Sequence, residues 1–260
     1  MRIVSLTCSN TEIVCALGCA DYLVGVDDHS DFPVDVVARC TKVGPDLTVD
    51  VDAIAALKPD MVLASLTVPG HEHNIARLQA AGLPYLVTEP KSLSDIEHDI
   101  RTIGACLGVP DRAEHLVQQL RPQLAPPVRP STDFKPSILI QWWPKPVIAP
   151  GRNSWAQDLI VAAGGTNVLG DEHCESRPMT DEEVATCNPD VIVIAWCGVK
   201  LEKYRPDVVY RNPAFSQVSA IQKQQVFCIS EAYLGRPSPR LVEGLQQLRT
   251  IIDQVQPATF

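Results

Sequence analysis

The residues of this chain best equipped for chemistry are a few histidines, carboxylates and thiols, and their spacing excludes most of what they could do. His71 and His73 flank Glu72 in "PGHEHN". At i, i+2 on a helix the two imidazoles face different ways, so they do not share one metal. As a first helical turn the segment places Glu72 where the macrodipole favours a carboxylate. Ser9, His29 and Asp31 contain the side chains of a nucleophilic triad, but nothing in their spacing requires one. Cys15 and Cys19 stand i, i+4 with no histidine or third cysteine nearby in sequence to complete a metal site. "APGRNS" and "AAGGTN" lack the glycine spacing of a phosphate cradle, and no G-x-S-x-G elbow occurs. The expectation is a chain with no catalytic residue, no resident metal and no cofactor.

The aromatic residues point to binding instead. Trp142 and Trp143 end an apolar run, Trp155 opens the helix that follows, and Trp196 ends another run. Tyr233 and Arg236 follow the strand-like "VFCIS". Indoles, a phenol and a guanidinium at strand ends suit a large flat or amphipathic ligand, although some of these rings belong to the core.

Those side chains need a scaffold, and short β-like runs alternate with helical patterns from end to end, as in parallel α/β architecture. "RIVSL" reads as a strand, with Asn10 or Thr11 as the N-cap of a helix carrying Ile13, Ala16 and Leu17. Residues 110–124 read as one helix that Pro122 kinks or ends. The proline-rich "APPVRPSTDFKP" then marks a boundary. The expected division is an N-terminal α/β lobe over 1–109, a linking helix and boundary over 110–136, and a C-terminal α/β lobe over 137–260. The lobes echo each other. "DAIAALKPDMVLA" from 52 and "EEVATCNPDVIVIA" from 182 both read as amphipathic helix, x-Pro-Asp turn and buried strand.

Composition sets the outer limits. With 45% hydrophobic and 20% charged residues this is an ordinary globular composition, and a net charge of −9 argues against nucleic acid. The longest apolar run, Val191 to Cys197, is too short to span a bilayer. The nine cysteines form no C-x-x-C and read as reduced thiols in a reducing compartment.

Taken in order, "RIVSLTCSNTEIVCALG", "YLVGVDDHSDFP", "VDAIAALKPDMVLA", "IARLQAAGLPYLV", "GRNSWAQDLIVAAGGTNVL", "EEVATCNPDVIVIA" and "GRPSPRLVEGLQQL" resemble the cobalamin- and iron-siderophore-type substrate-binding proteins of ABC importers. The resemblance implies two Rossmann-like lobes with parallel sheets, joined by one long helix, with the ligand between them. It also implies one surface glutamate per lobe that meets an arginine of a membrane permease, here Glu72 and Glu182. "SNTE", "SDFP" and "RPSPR" are most similar to the cobalamin binders. The implied ligand-binding set is Cys8, Ser9, Asn10, His29, Ser65, Trp142, Trp143, Trp196, Tyr233 and Arg236. The chain departs from the family pattern at Cys8 (a proline there), at Ser65 (an indole) and at Arg177 (an aromatic). It departs again at Ala232 and Gly235, where the family carries an acidic pair.

The expected function is non-catalytic binding of a corrinoid such as cobalamin, with haem or a ferric siderophore as further ligands. A tetrapyrrole metal-inserting enzyme is the alternative, and it needs His29, His71 or His73 beside an acidic group. Because no leader precedes the first strand and cysteines abound, the expected location is cytoplasmic, or periplasmic if the start is truncated.

Overall fold

The computed structural model describes residues 1–126 and 134–255, so residues 127–133 of the expected boundary segment lie outside it. The chain forms two compact units. One contains Met1–Pro90 and Ser94–Leu120; the other contains Lys91–Leu93 and the described residues from Arg121 onward.

In the first unit β1 (Ile3–Ser5), β2 (Leu23–Val26), β3 (Thr41–Lys42), β4 (Met61–Ser65) and β5 (Tyr85–Thr88) make one sheet in the order β3-β2-β1-β4-β5. Every pairing is parallel. The helices are α1 (Cys8–Ala16), α2 (Val34–Val37), α3 (Val51–Ala56), α4 (His71–Ala80), α5 (Leu93–Cys106) and α6 (Pro110–Leu124). All three residues of β1 are fully buried, as expected of a central strand covered on both faces. Val4, Leu6, Val62 and Ala64 pack there with Ile54 and Leu78 from the helices.

The second unit repeats the scheme with additions. Its strands are β6 (Ser137–Gln141), β7 (Trp143–Pro144), β8 (Val147–Pro150), β9 (Thr166–Asn167), β10 (Ser176–Met179), β11 (Val191–Ile194) and β12 (Val226–Cys228). The parallel sheet runs β12-β11-β6-β9, and β10-β8-β7 form a small antiparallel sheet. Its helices are α7 (Trp155–Ala163), α8 (Asp181–Cys187), α9 (Pro206–Tyr210), α10 (Ser219–Gln222), α11 (Glu231–Leu234) and α12 (Leu241–Gln254). The strand order reverses between β1 and β4 in one unit and between β6 and β11 in the other. In open parallel sheets ligands bind outside the carboxyl ends at such a reversal.

The echo seen in the sequence has a physical basis. Lys58 and Asn188 each take up a left-handed conformation after their helices, with φ of 47° and 42°, and each is followed by Pro-Asp. The Asp60 carboxylate accepts the Arg2 backbone N–H at 2.7 Å. The Asp190 carboxylate accepts the N–H and hydroxyl of Ser137, both at 2.9 Å. Those donors lie one residue before the pairs Ile3–Met61 and Ile138–Val191. The same carboxylate contact thus pins the same register in both sheets.

Four details differ from the sequence reading. Helix α1 begins at Cys8 with Thr7 as N-cap, so Cys8, Ser9 and Asn10 form its first turn rather than a preceding loop. Helix α6 continues through Pro122 to Leu124, because a proline in the last turn removes a hydrogen bond that fraying would weaken anyway. The strand expected to run through both tryptophans stops at Gln141. Trp143 then joins the antiparallel sheet, whose β8 was read as loop.

Asp190→Ala removes two bonds at a part-buried site and is expected to lower unfolding free energy by about 2 kcal/mol. Asp60→Ala, at an exposed site, is expected to cost roughly half as much. Urea denaturation of both variants checks the order.

Candidate ligand-binding faces

At the carboxyl ends of β1 and β4 the chain gathers hydroxyls, an amide, two imidazoles and a carboxylate. The loop after β2 is held from below. Asp27, fully buried, accepts from the Ser30 hydroxyl at 2.5 Å and from the His29 N–H at 2.9 Å. Burial pushes its carboxyl above the usual range, while the two donors oppose that rise. Thr11 on α1 links the hydroxyls of Ser5 and Ser30, each at 2.9 Å. Lys42 Nζ donates to the carbonyls of Asp27 and Ser30 at 2.9 and 2.7 Å. His29 is therefore presented from a braced loop, with its side chain 50% exposed.

Asp46 stands between two imidazoles. His29 Nε2 lies 3.5 Å from one carboxylate oxygen and His71 Nε2 lies 3.4 Å from the other. The hydrogen bond from His71 is the main reason that the Asp46 carboxyl titrates below its ordinary value. Asn74, one turn along α4, donates its side-chain N–H to the Asp46 carbonyl.

The sequence-derived set divides here. Asn10 is buried, with its amide donating to the Ala64 carbonyl at 3.0 Å and accepting from Thr88 at 3.2 Å, so it fixes α1 to β4 and β5. Ser9 is buried against Thr7 at 3.3 Å, and Cys8 is half-buried. Ser65 is buried and pairs with Thr67 at 3.1 Å. Only His29 of this group presents a substantial polar surface. His73 is exposed, whereas His71 is buried beside Asp46.

In the second unit the tryptophans separate by role. Trp196 is 6% exposed; its Nε1 donates to Gln141 Oε1 at 2.9 Å and its ring lies 5.5 Å from that of Tyr204. The Tyr204 hydroxyl donates to the Trp196 carbonyl and accepts from the Glu231 N–H, both at 3.1 Å. Trp196 is thus a core pillar that aligns β6, β11 and α11. Trp142 is buried too, and Trp143 at 42% exposure is the indole that faces solvent. Tyr233 is half-buried under the Arg240 guanidinium, 4.7 Å from the ring centroid. Gly244 permits this placement, since a β-carbon there would overlap the Tyr233 carbonyl.

Arg236 is buried, and Glu231 receives both its Nε at 3.1 Å and a terminal nitrogen at 2.7 Å. Glu231 is thus the acidic partner of Arg236, while Ala232 and Gly235 stand where the family's acidic pair was noted. Sequence reasoning also missed Asp46, Asn74, Gln141 and Tyr204. "GPDLT" signals a turn at Asp46 but not the histidines the turn meets.

Glu72 and Glu182 are both exposed at the second residue of their helices, α4 and α8. Glu72 accepts the Gly70 N–H at 2.9 Å, and backbone N–H donors hold its carboxyl below the usual range. Among the described residues no group of three or more His, Cys, Asp and Glu side chains is arranged to hold a metal ion, and no helix is long and apolar enough to cross a membrane.

Comparison with known proteins places this geometry in context. The model of the family described as "Periplasmic binding protein" matches residues 3–233. An ABC transporter substrate-binding lipoprotein of Bacillus subtilis, YvrC, is 31% identical over 266 residues, covering 100% of this chain and 81% of the relative. The vitamin B12-binding protein of Vibrio cholerae is 26% identical over 264 residues, covering 98% of this chain and 90% of the relative. The solved periplasmic heme-binding protein RhuT from Roseiflexus sp. RS-1 superposes with a TM-score of 0.82 at 29% identity, over 98% of this chain and 99% of that one.

These matches correct the expected cytoplasmic location, because the relatives are periplasmic proteins or lipoproteins and point outside the cytoplasm. The cysteine count did not report the compartment, because a thiol's reactivity follows its own surroundings, and these differ: Cys19 is buried, Cys187 and Cys197 are exposed, and burial raises the Cys15 thiol to about 12.

Glu231→Ala removes two charge-assisted hydrogen bonds from the buried Arg236 guanidinium and is expected to lower unfolding free energy by about 2–3 kcal/mol. Thermal unfolding of the variant beside wild type checks the loss.

Proposed function

The chain belongs to the periplasmic binding protein family, and from that premise we propose that it is the substrate-binding component of an ABC importer whose cargo is a corrinoid such as cobalamin. The observation that carries this reading is an exposed aromatic ring at the carboxyl end of each parallel sheet. Phe32, in the loop after β2, and Trp143, just after β6, are each 42% exposed. Exposed rings beside strand ends suit the faces of a flat macrocycle. The braced His29 loop adds polar groups for its rim, and the named vitamin B12-binding relatives align along nearly the whole chain. The imidazole–carboxylate pairing that a metal-inserting enzyme would need is present at His29, Asp46 and His71. In a family of non-catalytic binding proteins we read that pairing as ligand recognition.

One observation favours haem as a second reading: the half-exposed imidazole of His29 is the type of side chain that ligates haem iron. Titration of the purified protein with cyanocobalamin, followed by absorbance and calorimetry, is expected to give saturable one-to-one binding. Saturable binding of hemin with a shifted Soret band, and none of cyanocobalamin, would select haem. No saturable binding of either would remove both readings.

The exposed Glu72 and Glu182 are the proposed permease contacts. Each surface ion pair contributes little alone, so docking needs both together with the surface around them. The double variant Glu72→Arg, Glu182→Arg is expected to bind cyanocobalamin within about threefold of wild type, because both side chains are exposed and neither lines the pocket that contains His71. Cobalamin uptake by the native host is expected to fall to background. Unimpaired uptake would remove the docking assignment.

A further inference from the structure

Within the first unit, Leu6, Thr7, Asp46, Ser65, His71 and Asn74 line a cavity of about 10 Å³ at the carboxyl ends of β1 and β4. That is room for one water-sized group. His71 and Asn74 are 3% and 4% exposed, and His71 Nδ1 and Asn74 Oδ1 have no hydrogen-bond partner. Buried polar atoms are seldom left that way without a reason.

The chemistry of the two atoms is fixed by their neighbours. His71 Nε2 faces an Asp46 carboxylate oxygen at 3.4 Å, so in the neutral ring the proton is assigned to Nε2 and Nδ1 is left as an acceptor. Asn74 donates its N–H to the Asp46 carbonyl, which leaves Oδ1 as an acceptor as well. The Asp46 carboxylate, 26% exposed at the edge of the cavity, is a third acceptor and carries negative charge. The hydroxyls of Thr7 and Ser65 already pair with Ser9 and Thr67. With His71 neutral, the pocket therefore offers acceptors to whatever enters, beside the negative Asp46 carboxylate.

We propose that this pocket receives a primary amide N–H₂ from the rim of the ligand, and that it makes the protein select an amide-rimmed macrocycle over a carboxylate-rimmed one. An amide N–H₂ is water-sized and brings two donors to a pocket lined by two residues whose acceptors are unmatched. A carboxylate oxygen brings none, and it meets Asp46 with like charge. The inference rests on the corrinoid reading above and gives a reason for that choice, since corrinoids carry amide side chains where haem carries propionates.

The test uses the full chain and a set of cobalamin derivatives in which one amide at a time is hydrolysed to a carboxylate, titrated beside cyanocobalamin. Each derivative carries the same added charge, so long-range repulsion is common to the set. One derivative is expected to bind roughly 30-fold more weakly than cyanocobalamin, as leaving buried acceptors unmatched implies, with the others within about threefold. In His71→Phe that one penalty is expected to shrink to less than about fivefold. Equal binding of the whole set would overturn the inference while leaving the corrinoid reading intact, the pocket then holding only water. A penalty of the same size in His71→Phe would also overturn it. Failure of cyanocobalamin itself to bind would overturn both. If His71→Phe does not fold, the wild-type series decides alone.

Discussion

A carboxylate that follows a proline and accepts a backbone N–H at the start of a neighbouring strand is the contact on which the rest of this molecule depends. Asp60 does this for β1 and Asp190 for β6. A parallel sheet shifted by one residue would turn every side chain to its opposite face. By fixing β4 against β1 and β11 against β6, the two aspartates fix which residues emerge at the carboxyl ends. In the first unit Leu6, Thr7 and Ser65 emerge; in the second Trp142, Trp143 and Trp196 do. Each aspartate needs a tight turn before it, and the left-handed Lys58 and Asn188 supply that turn.

The faces built on that register are rigid in different ways. In the first unit hydroxyls, Lys42 and the buried Asp27 brace one loop, and Asp46 ties that loop to α4 through two imidazoles. In the second unit Trp196, Gln141, Tyr204 and the Glu231–Arg236 pair form a continuous polar seam through an otherwise apolar core. A site held this firmly loses little conformational entropy when it binds, which suits a member of the periplasmic binding protein family.

The fold was legible because strand and helix periods alternate cleanly, and because "KPD" and "NPD" repeat the same turn before the same kind of strand. The two units could be anticipated from that repeat. The site was legible only in part. Trp196 and Asn10 carry side chains suited to ligands, but both are engaged in the core, and only the partners at Gln141, Ala64 and Thr88 reveal it. Asp46 was missed because its importance comes from groups distant in sequence, and Glu231 because no motif marks it as the partner of Arg236. The antiparallel β7–β8 hairpin was hidden by prolines that read as loop. Location was misread because a cysteine count does not report the surroundings of each thiol.

Hydrogen–deuterium exchange of the full chain with and without saturating cyanocobalamin tests the central claim most directly, namely that ligand engages the carboxyl ends of the strands. The account predicts added protection in residues 5–11, 27–33 and 65–74 of the first unit and in 142–148 and 231–236 of the second. Protection confined to the groove formed by Leu17, Gly18, Arg112 and His115, far along α1 from its first turn, would contradict it.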